Sequence, residues 1–243
     1  MLHSVQLIVL HTIKYTESSL LVYAYTHLFG RQTYLVRGVR SAKNRNAAAY
    51  FFPLQLLEAE VYYKSGANMQ YIKEYRPKNP LQGIRTNLYK SAIALFLGEL
   101  LYKTIKEEEP DALLFQFISD SIHELDACTE RVANFHLHFI THYCAHLGFA
   151  PHINFHPQHT PLFYIPHGSF VPVSAISDLT FSMEESSLLV QLYTMQHTPS
   201  AASISLHSTQ RHLYIQAIVR YLSYHLNSSL ELTSPKVLMQ IFQ

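Results

Sequence analysis

The sequence predicts an α+β fold of two domains, an N-terminal five-stranded OB-type barrel followed by a mostly α-helical C-terminal domain. Two observations predict this class. Short β-rich runs separated by turn-like segments fill about the first 75 residues, and the prolines at positions 77 and 80 close that region before a helical apolar period begins. We therefore expect a first domain over residues 1–79 and a second over residues 80–243.

Five runs in the first domain have the composition of strands. In the fourth run, from Leu57 onward, apolar and polar residues alternate, which predicts that one face lies against a core. Gly30 and Gly66 stand where hairpins must turn and adopt positive φ at little cost. The OB fold is the common five-stranded barrel that binds oligonucleotides, although an SH3-like barrel fits the same pattern. The predicted strands cover residues 5–10, 20–26, 32–36, 54–63 and 69–75.

The second domain carries helical apolar patterns with recognisable starts. Ser182 with Glu185 predicts a capping box, and Ser234 before Pro235 predicts an N-cap with proline at the first helical position. Prolines interrupt residues 148–178, an irregular histidine-rich insert in which LFYIP and SFVPV could pair as a hairpin. The predicted helices cover residues 81–109, 111–127, 130–147, 183–196, 209–226 and 235 onward.

Charge is distributed very unevenly along the chain. The net charge is +1, but residues 1–90 hold twelve Lys/Arg against four Glu, a balance of +8, and the remainder holds six against thirteen, a balance of −7. A basic half joined to an acidic half indicates that the first half binds anions.

Composition also indicates the cellular compartment in which the protein works. There are two cysteines, so a disulfide framework is not expected and a reducing cytoplasm fits. The apolar start MLHSVQLIVL lacks a basic leader and a cleavage site, and no apolar run reaches the roughly 18 residues that span a bilayer. We expect no membrane segment.

The clearest functional signal is the segment between the third and fourth strands. Four cations, Arg37, Arg40, Lys43 and Arg45, lie within nine residues, and Arg31 opens the preceding strand. A polar, basic loop of this kind attracts phosphate, and the aromatic residues near it supply rings on which unpaired bases stack, although most of those rings should fill the barrel. These five residues are the predicted DNA-binding set.

Histidines and catalytic motifs give weaker signals. His138, His142 and His146 share a helical face, but no carboxylate or cysteine completes a metal site, and we expect histidines of surface and core instead. Phosphate-binding glycine loops, the G-x-S-x-G elbow and H-E-x-x-H are absent from the sequence. We therefore predict no catalytic residue, no metal and no cofactor.

Several segments together resemble the RecO family of recombination mediators. The N-terminal run VLHTIKYTESSLLVYAYTHLFGRQTYLVRGVRSAK is similar to the family's signature, and FPL at 52–54, HLGFAP at 146–151, YHL at 224–226 and SPK at 234–236 resemble later landmarks. The resemblance covers nearly the whole chain.

The resemblance implies an OB-fold domain that binds single-stranded DNA and a helical domain that binds partners. The implied activity is non-catalytic: annealing of strands and loading of recombinase onto DNA coated by single-strand binding protein, with RecR and the tail of that binding protein as partners. A bacterial, nucleoid-associated location in the cytoplasm follows. For the carboxylate of the tail we name Lys103, Lys106 and Arg131 as candidate cations.

One departure from the family concerns zinc. Many members carry four cysteines after the Gly-aromatic-x-Pro landmark, whereas this chain has His152, His156, His159 and His167 there. Two other readings of the sequence stay open: an OB-like adaptor that binds RNA or protein, and a histidine-dependent metalloprotein or hydrolase.

Overall fold

The computed structural model describes residues 1–39, 47–106, 109–129, 132–154, 161–195 and 203–242. Two compact units, Met1–Ala127 and Cys128–Gln243, divide the chain. The first unit holds the barrel and three helices, and the second is mostly helical. Whether residues 1–79 fold by themselves, as the expected domain boundary implies, stays a prediction.

Five strands close into a barrel in the first unit, as predicted. They are β1 (Leu2–Lys14), β2 (Leu20–Thr26), β3 (Gly30–Val36), β4 (Leu56–Tyr62) and β5 (Gln70–Pro77). Their order is β1-β2-β3-β5-β4, with β4 returning to β1. All pairs are antiparallel except β3 with β5, which is parallel and brings the end of β3 beside the start of β5. This closed five-stranded arrangement has the OB architecture.

Alternating apolar side chains fill the barrel. The inward positions of β4, Leu57, Ala59 and Val61, are buried, and their neighbours Glu58 and Glu60 point outward. Gly30 and Gly66 have φ values of 57° and 71°, as expected at the two hairpin turns. The predicted strand start at residue 54 is wrong, because Leu54 has a φ of 67°, outside the extended region, and β4 begins two residues later.

Three helices complete the first unit: α1 (Gln82–Thr86), α2 (Leu88–Thr104) and α3 (Ala112–Ala127). The single long helix predicted from residue 81 is therefore divided. Asn87 causes the break, because its backbone is extended and its side-chain oxygen accepts hydrogen bonds from the amides of Tyr89 and Lys90. Asparagine is a favoured N-cap for this reason.

Helix α2 packs directly on the barrel at Gly98. A Cβ atom at this position would lie 2.7 Å from Pro53 Cβ, closer than non-bonded carbon atoms approach, and in tight contact at 3.1 Å with the Leu10 carbonyl oxygen. The contact explains why residues 7–10 of β1 are buried on both faces, since one face lines the barrel and the helical layer lies on the other. Glycine at position 98 lets the helix reach the strand.

The second unit consists of a small hairpin and four helices among its described residues. Strands β6 (Leu162–Tyr164) and β7 (Ser169–Val171) form the predicted hairpin. The helices are α4 (Phe135–His146), α5 (Met183–Thr194), α6 (Ser208–His225) and α7 (Ser234–Ile241). The expected capping box at Ser182 and Glu185 is present. Two starts differ from expectation: a 3-10 turn at Val132–Asn134 precedes α4, and Thr233 rather than Ser234 is the N-cap of α7.

The close approach at Gly98 predicts that alanine at this position destabilises the protein, contrary to its usual effect in a helix. Alanine stabilises an ordinary helix interior by about 1 kcal/mol relative to glycine. In Gly98→Ala, overpacking against Pro53 should instead lower the free energy of unfolding by about 1–3 kcal/mol. Urea denaturation measures the change, with Gln116→Ala on the exposed side of α3 as control. Stabilisation of the Gly98→Ala variant would contradict the packing.

Candidate nucleic-acid interface

Helices of the same unit cover one side of the barrel's outer surface. On β2, the ring of Tyr23 lies 4.9 Å from that of Tyr102 on α2. The Tyr25 hydroxyl accepts a hydrogen bond from the Asp111 amide at 3.1 Å, immediately before α3. The half-buried Tyr23 and the buried Tyr25 of β2 thus contact helical segments of the same unit.

Arg31 belongs to this covered side. Its guanidinium donates hydrogen bonds to the carbonyls of Tyr102, at 2.7 Å, and Ile105, and lies 4.8 Å above the Tyr102 ring. Burial lowers the pKa of the Arg31 guanidinium, although the nearby tyrosines oppose this effect. The contacts join β3 to the C-terminal end of α2, where unpaired carbonyls favour a cation. DNA binding by Arg31 stays a prediction, and none of these contacts supports it.

The opposite side of the barrel, formed by β4 and β5, carries paired charges. Glu58 accepts from Arg76 at 2.6 Å, and Lys73 lies 3.2 Å from Glu60 and 3.7 Å from Glu74. Glu17 is paired with Lys14 at 2.8 Å. Every acidic residue of the first 90 therefore has a basic partner, so the positive excess of that segment resides in its other basic residues.

Several of those other basic residues contact uncharged groups of the same unit. Lys90 donates to the Asp126 carbonyl at 2.6 Å, Arg85 to the Ala49 carbonyl at 3.3 Å, and Lys78 to the Gln6 side chain at 3.0 Å. For Arg37 and Lys64, no side-chain hydrogen bond or ion pair to another described residue is present, and both are exposed. These two cations are available to an external anion.

Arg37 and Lys64 lie at the same end of the barrel. Leu35 pairs with Tyr71, and Tyr71 pairs with Tyr62, so the ends of β3 and β4 meet the start of β5. Arg37 follows β3 directly, with its guanidinium 5.1 Å above the Tyr71 ring, and Lys64 follows β4. The other predicted DNA-binding residues, Arg40, Lys43 and Arg45, lie outside the described residues, three to eight positions after Arg37.

The structure separates the aromatic residues near the basic loop into two groups. Tyr34 and Phe51 are buried in the core of the barrel, as expected, whereas Tyr62 and Tyr71 are 49% and 37% exposed. Sequence reasoning did not single out this exposed pair. The signal was present for Tyr62, which continues the outward alternation of Glu58 and Glu60.

Histidines of the second unit serve packing and capping. The Nε2 atoms of His138 and His142 lie 3.2 Å and 3.1 Å from the carbonyls of Met195 and Leu192, at the end of α5. Burial, with the charge of Arg211, lowers the pKa of His136 to about 3. Among the described residues no three His, Cys, Asp or Glu side chains are arranged to hold a metal ion. His156 and His159 lie outside them.

The predicted partner-binding cations are described only in part. Lys103 occupies the last turn of α2 and is half-buried, and Lys106 follows the helix and is exposed. Both belong to the first compact unit. Arg131 falls outside the described residues. In the part of the chain that the structure describes, no helix has the length and apolar character needed to cross a membrane.

Comparison with known proteins identifies matches along nearly the whole chain. The family described as "Recombination protein O N terminal" matches residues 1–81, and "Recombination protein O C terminal" matches residues 85–233. The first match spans the barrel, and the second begins within α1 and spans α2 to α6.

Relatives of similar length carry the name "DNA repair protein RecO". The chain is 36% identical to that of Flavobacterium psychrophilum and 34% identical to that of Bacteroides fragilis, over 97% of each chain. It is 30% identical to that of Christiangramia forsetii over the full length of both.

The contacts of Arg31 and Arg37 predict that only the loss of Arg31 destabilises the protein. Arg31→Met should lower the free energy of unfolding by about 1–3 kcal/mol, because the partly buried carbonyls of Tyr102 and Ile105 lose their donor. Arg37→Met is the matched control and should change it by less than about 0.5 kcal/mol, as exposed substitutions usually do. Urea denaturation followed by circular dichroism measures both, and equal effects would show that Arg31 is not a structural cap.

Proposed function

The chain belongs to the RecO family of DNA repair proteins, and on this basis we propose that it is a non-catalytic mediator of repair and recombination. It binds single-stranded DNA, anneals complementary strands and helps to load recombinase onto DNA coated by single-strand binding protein. The first two activities require a surface that attracts phosphate without demanding a base sequence.

The distribution of charge on the barrel is the observation that carries this proposal. All the acidic residues of the first 90 have basic partners, while Arg37 and Lys64 stand exposed at one end of β3, β4 and β5. The sequence adds Arg40, Lys43 and Arg45 next to Arg37. Together these five cations supply a positive surface of the kind that tracks a nucleic-acid backbone.

The same charges account for annealing. Two complementary strands repel each other through their phosphates, and a basic surface that neutralises part of that charge lowers the barrier to their meeting. A protein that acts in this way needs no bond-breaking step. The proposal therefore assigns no catalytic residue, metal or cofactor.

Loading of recombinase requires contact with the protein that already covers the DNA. We assign this contact to the acidic-apolar tail of single-strand binding protein, with Lys103, Lys106 or Arg131 as the cation for its terminal carboxylate. RecR is the second proposed partner. A protein engaged with DNA in this way would be found at the bacterial nucleoid.

Removal of the exposed charges should weaken DNA binding in a salt-dependent manner. If about five phosphates are neutralised, the logarithm of affinity should fall with the logarithm of salt with a slope near −3.5. The triple variant Arg37→Gln, Arg40→Gln, Lys43→Gln should bind more weakly and reduce that slope to about −1.4, since three contacts are lost. Fluorescence anisotropy with single-stranded DNA, RNA and duplex at several salt concentrations measures both quantities.

A matched control removes three other exposed charges of the protein. Lys14→Gln, Lys78→Gln and Lys236→Gln together change the net charge equally and leave the glutamates of the β4–β5 face paired. This variant should retain most of the wild-type slope. Equal losses in the two triple variants would mean that net charge, and not the proposed surface, determines binding, and a preference for RNA would favour an RNA-binding adaptor.

Partner binding is tested with a labelled peptide of the single-strand binding protein tail. Loss of a charge-assisted hydrogen bond to the terminal carboxylate should reduce affinity by on the order of tenfold. We expect this in Lys103→Gln/Lys106→Gln or in Arg131→Gln, and not in Lys236→Gln, an exposed residue of α7. An unchanged affinity in both test variants would remove these cations from consideration.

A further inference from the structure

A row of apolar side chains crosses the five strands on the outside of the barrel. Strand register places these side chains side by side, because directly paired residues of neighbouring strands project to the same face. Leu21 of β2 pairs with Leu35 of β3, Leu35 with Tyr71 of β5, Tyr71 with Tyr62 of β4, and Tyr62 with Leu2 of β1. Each strand contributes one residue to this row.

Part of the row is open to solvent. Tyr62 and Tyr71 are exposed, as is Leu2, while Leu35 is buried beside them. Rings and aliphatic side chains that are contiguous and exposed on a barrel mark a binding surface more often than isolated ones do. The two tyrosines lie at its centre, on adjacent strands.

The face that OB barrels commonly use for oligonucleotides is not open in this protein. That face lies on strands 2 and 3. Here Tyr23 packs on Tyr102, the Tyr25 hydroxyl is bonded to Asp111, and Arg31 is bonded to the end of α2. Bases could reach these side chains only if α2 and α3 left the barrel.

Charge on the open side favours a polyanion. Arg37 lies above the Tyr71 ring at 5.1 Å, and Lys64 is two residues beyond Tyr62. The three glutamates of the same face, at positions 58, 60 and 74, are already paired with Arg76 and Lys73. Exposed rings bordered by cations suit a strand whose bases are unstacked, and a duplex offers no such bases.

We propose that Tyr62 and Tyr71 form a base-stacking platform for single-stranded DNA, so that the strand crosses the outer β4–β5 face and not the β2–β3 face. Arg37 and Lys64 then contact the phosphates on either side of the stacked bases. This inference rests on the proposed DNA binding but adds that base stacking, besides charge, contributes to affinity.

The test distinguishes the contribution of base stacking to affinity from that of phosphate contacts, and it does so by changing both the protein and the DNA. The variant Tyr62→Leu/Tyr71→Leu keeps apolar side chains and removes both π faces. The probes are an oligothymidylate of about 20 nucleotides, longer than a typical OB-fold site, and an abasic strand with the same number of phosphates. Anisotropy should show that the wild type prefers the strand with bases.

The double variant should lose at least about fivefold in affinity per ring for the strand with bases, which corresponds to the lower end of the energy of one stacked base. Its affinity for the abasic strand and its salt slope should be unchanged, because no phosphate contact is removed. The ring-preserving variant Tyr62→Phe/Tyr71→Phe should bind as the wild type does, and Tyr224→Leu, at a tyrosine of similar exposure in the second unit, controls for the substitution itself.

Each outcome is decisive. If the leucine variant binds the oligothymidylate as tightly as the wild type, the base-stacking proposal is wrong, and the apolar row is then a surface for a protein. Equal affinity of the wild type for both strands also overturns it, while leaving the charge-based proposal intact. Failure of the wild type to bind either strand refutes DNA binding itself. If the leucine variant does not fold, as judged by circular dichroism, the wild type still tests base stacking, because equal affinity for the two strands would overturn the proposal.

Discussion

The architecture of the first unit depends on how helix α2 is fastened to the barrel. Gly98 allows the helix backbone to approach β1 directly, and Arg31 joins β3 to the carbonyls at the end of the helix. The hydrogen bonds of Arg31 are directional, so the end of the helix cannot shift without taking this donor from partly buried carbonyls. One side of the barrel is thereby committed to internal packing, and any ligand must use the remainder.

The division into a covered side and an open side explains where the charged residues of the first unit lie. Cations on the covered side, such as Arg31 and Lys90, bind backbone carbonyls at helix ends, where the local dipole favours them. On the open side, glutamates are matched by Lys73 and Arg76, which leaves Arg37 and Lys64 at the end of the barrel. The described cations of the first 90 residues thus fall into structural cations, paired cations and a small exposed group.

The second unit uses histidine where helix ends need hydrogen-bonding side chains. His138 and His142, one turn apart on α4, lie within hydrogen-bonding distance of carbonyls at the end of α5, and His225 of α6 lies 2.8 Å from the Ile165 carbonyl. A series of histidines with i, i+4 spacing is compatible with metal binding, but here the first two members, His138 and His142, lie within hydrogen-bonding distance of backbone carbonyls. The same spacing serves both purposes because it aligns side chains on one helical face.

The sequence by itself determined the elements, the five strands, the second hairpin and most helices, because periodicity and turn residues are local properties. It also located the basic loop and, through its resemblance to RecO proteins, the family. Local pattern was insufficient where a single side chain mattered: Asn87 divides a helix that the apolar period continues. Only the tertiary structure decided that helix α2 covers Arg31 while Arg37 faces solvent, and that Tyr62 and Tyr71 are exposed. Exposure depends on which strands become neighbours and which face the helices cover, and both are set by contacts between residues distant in the chain.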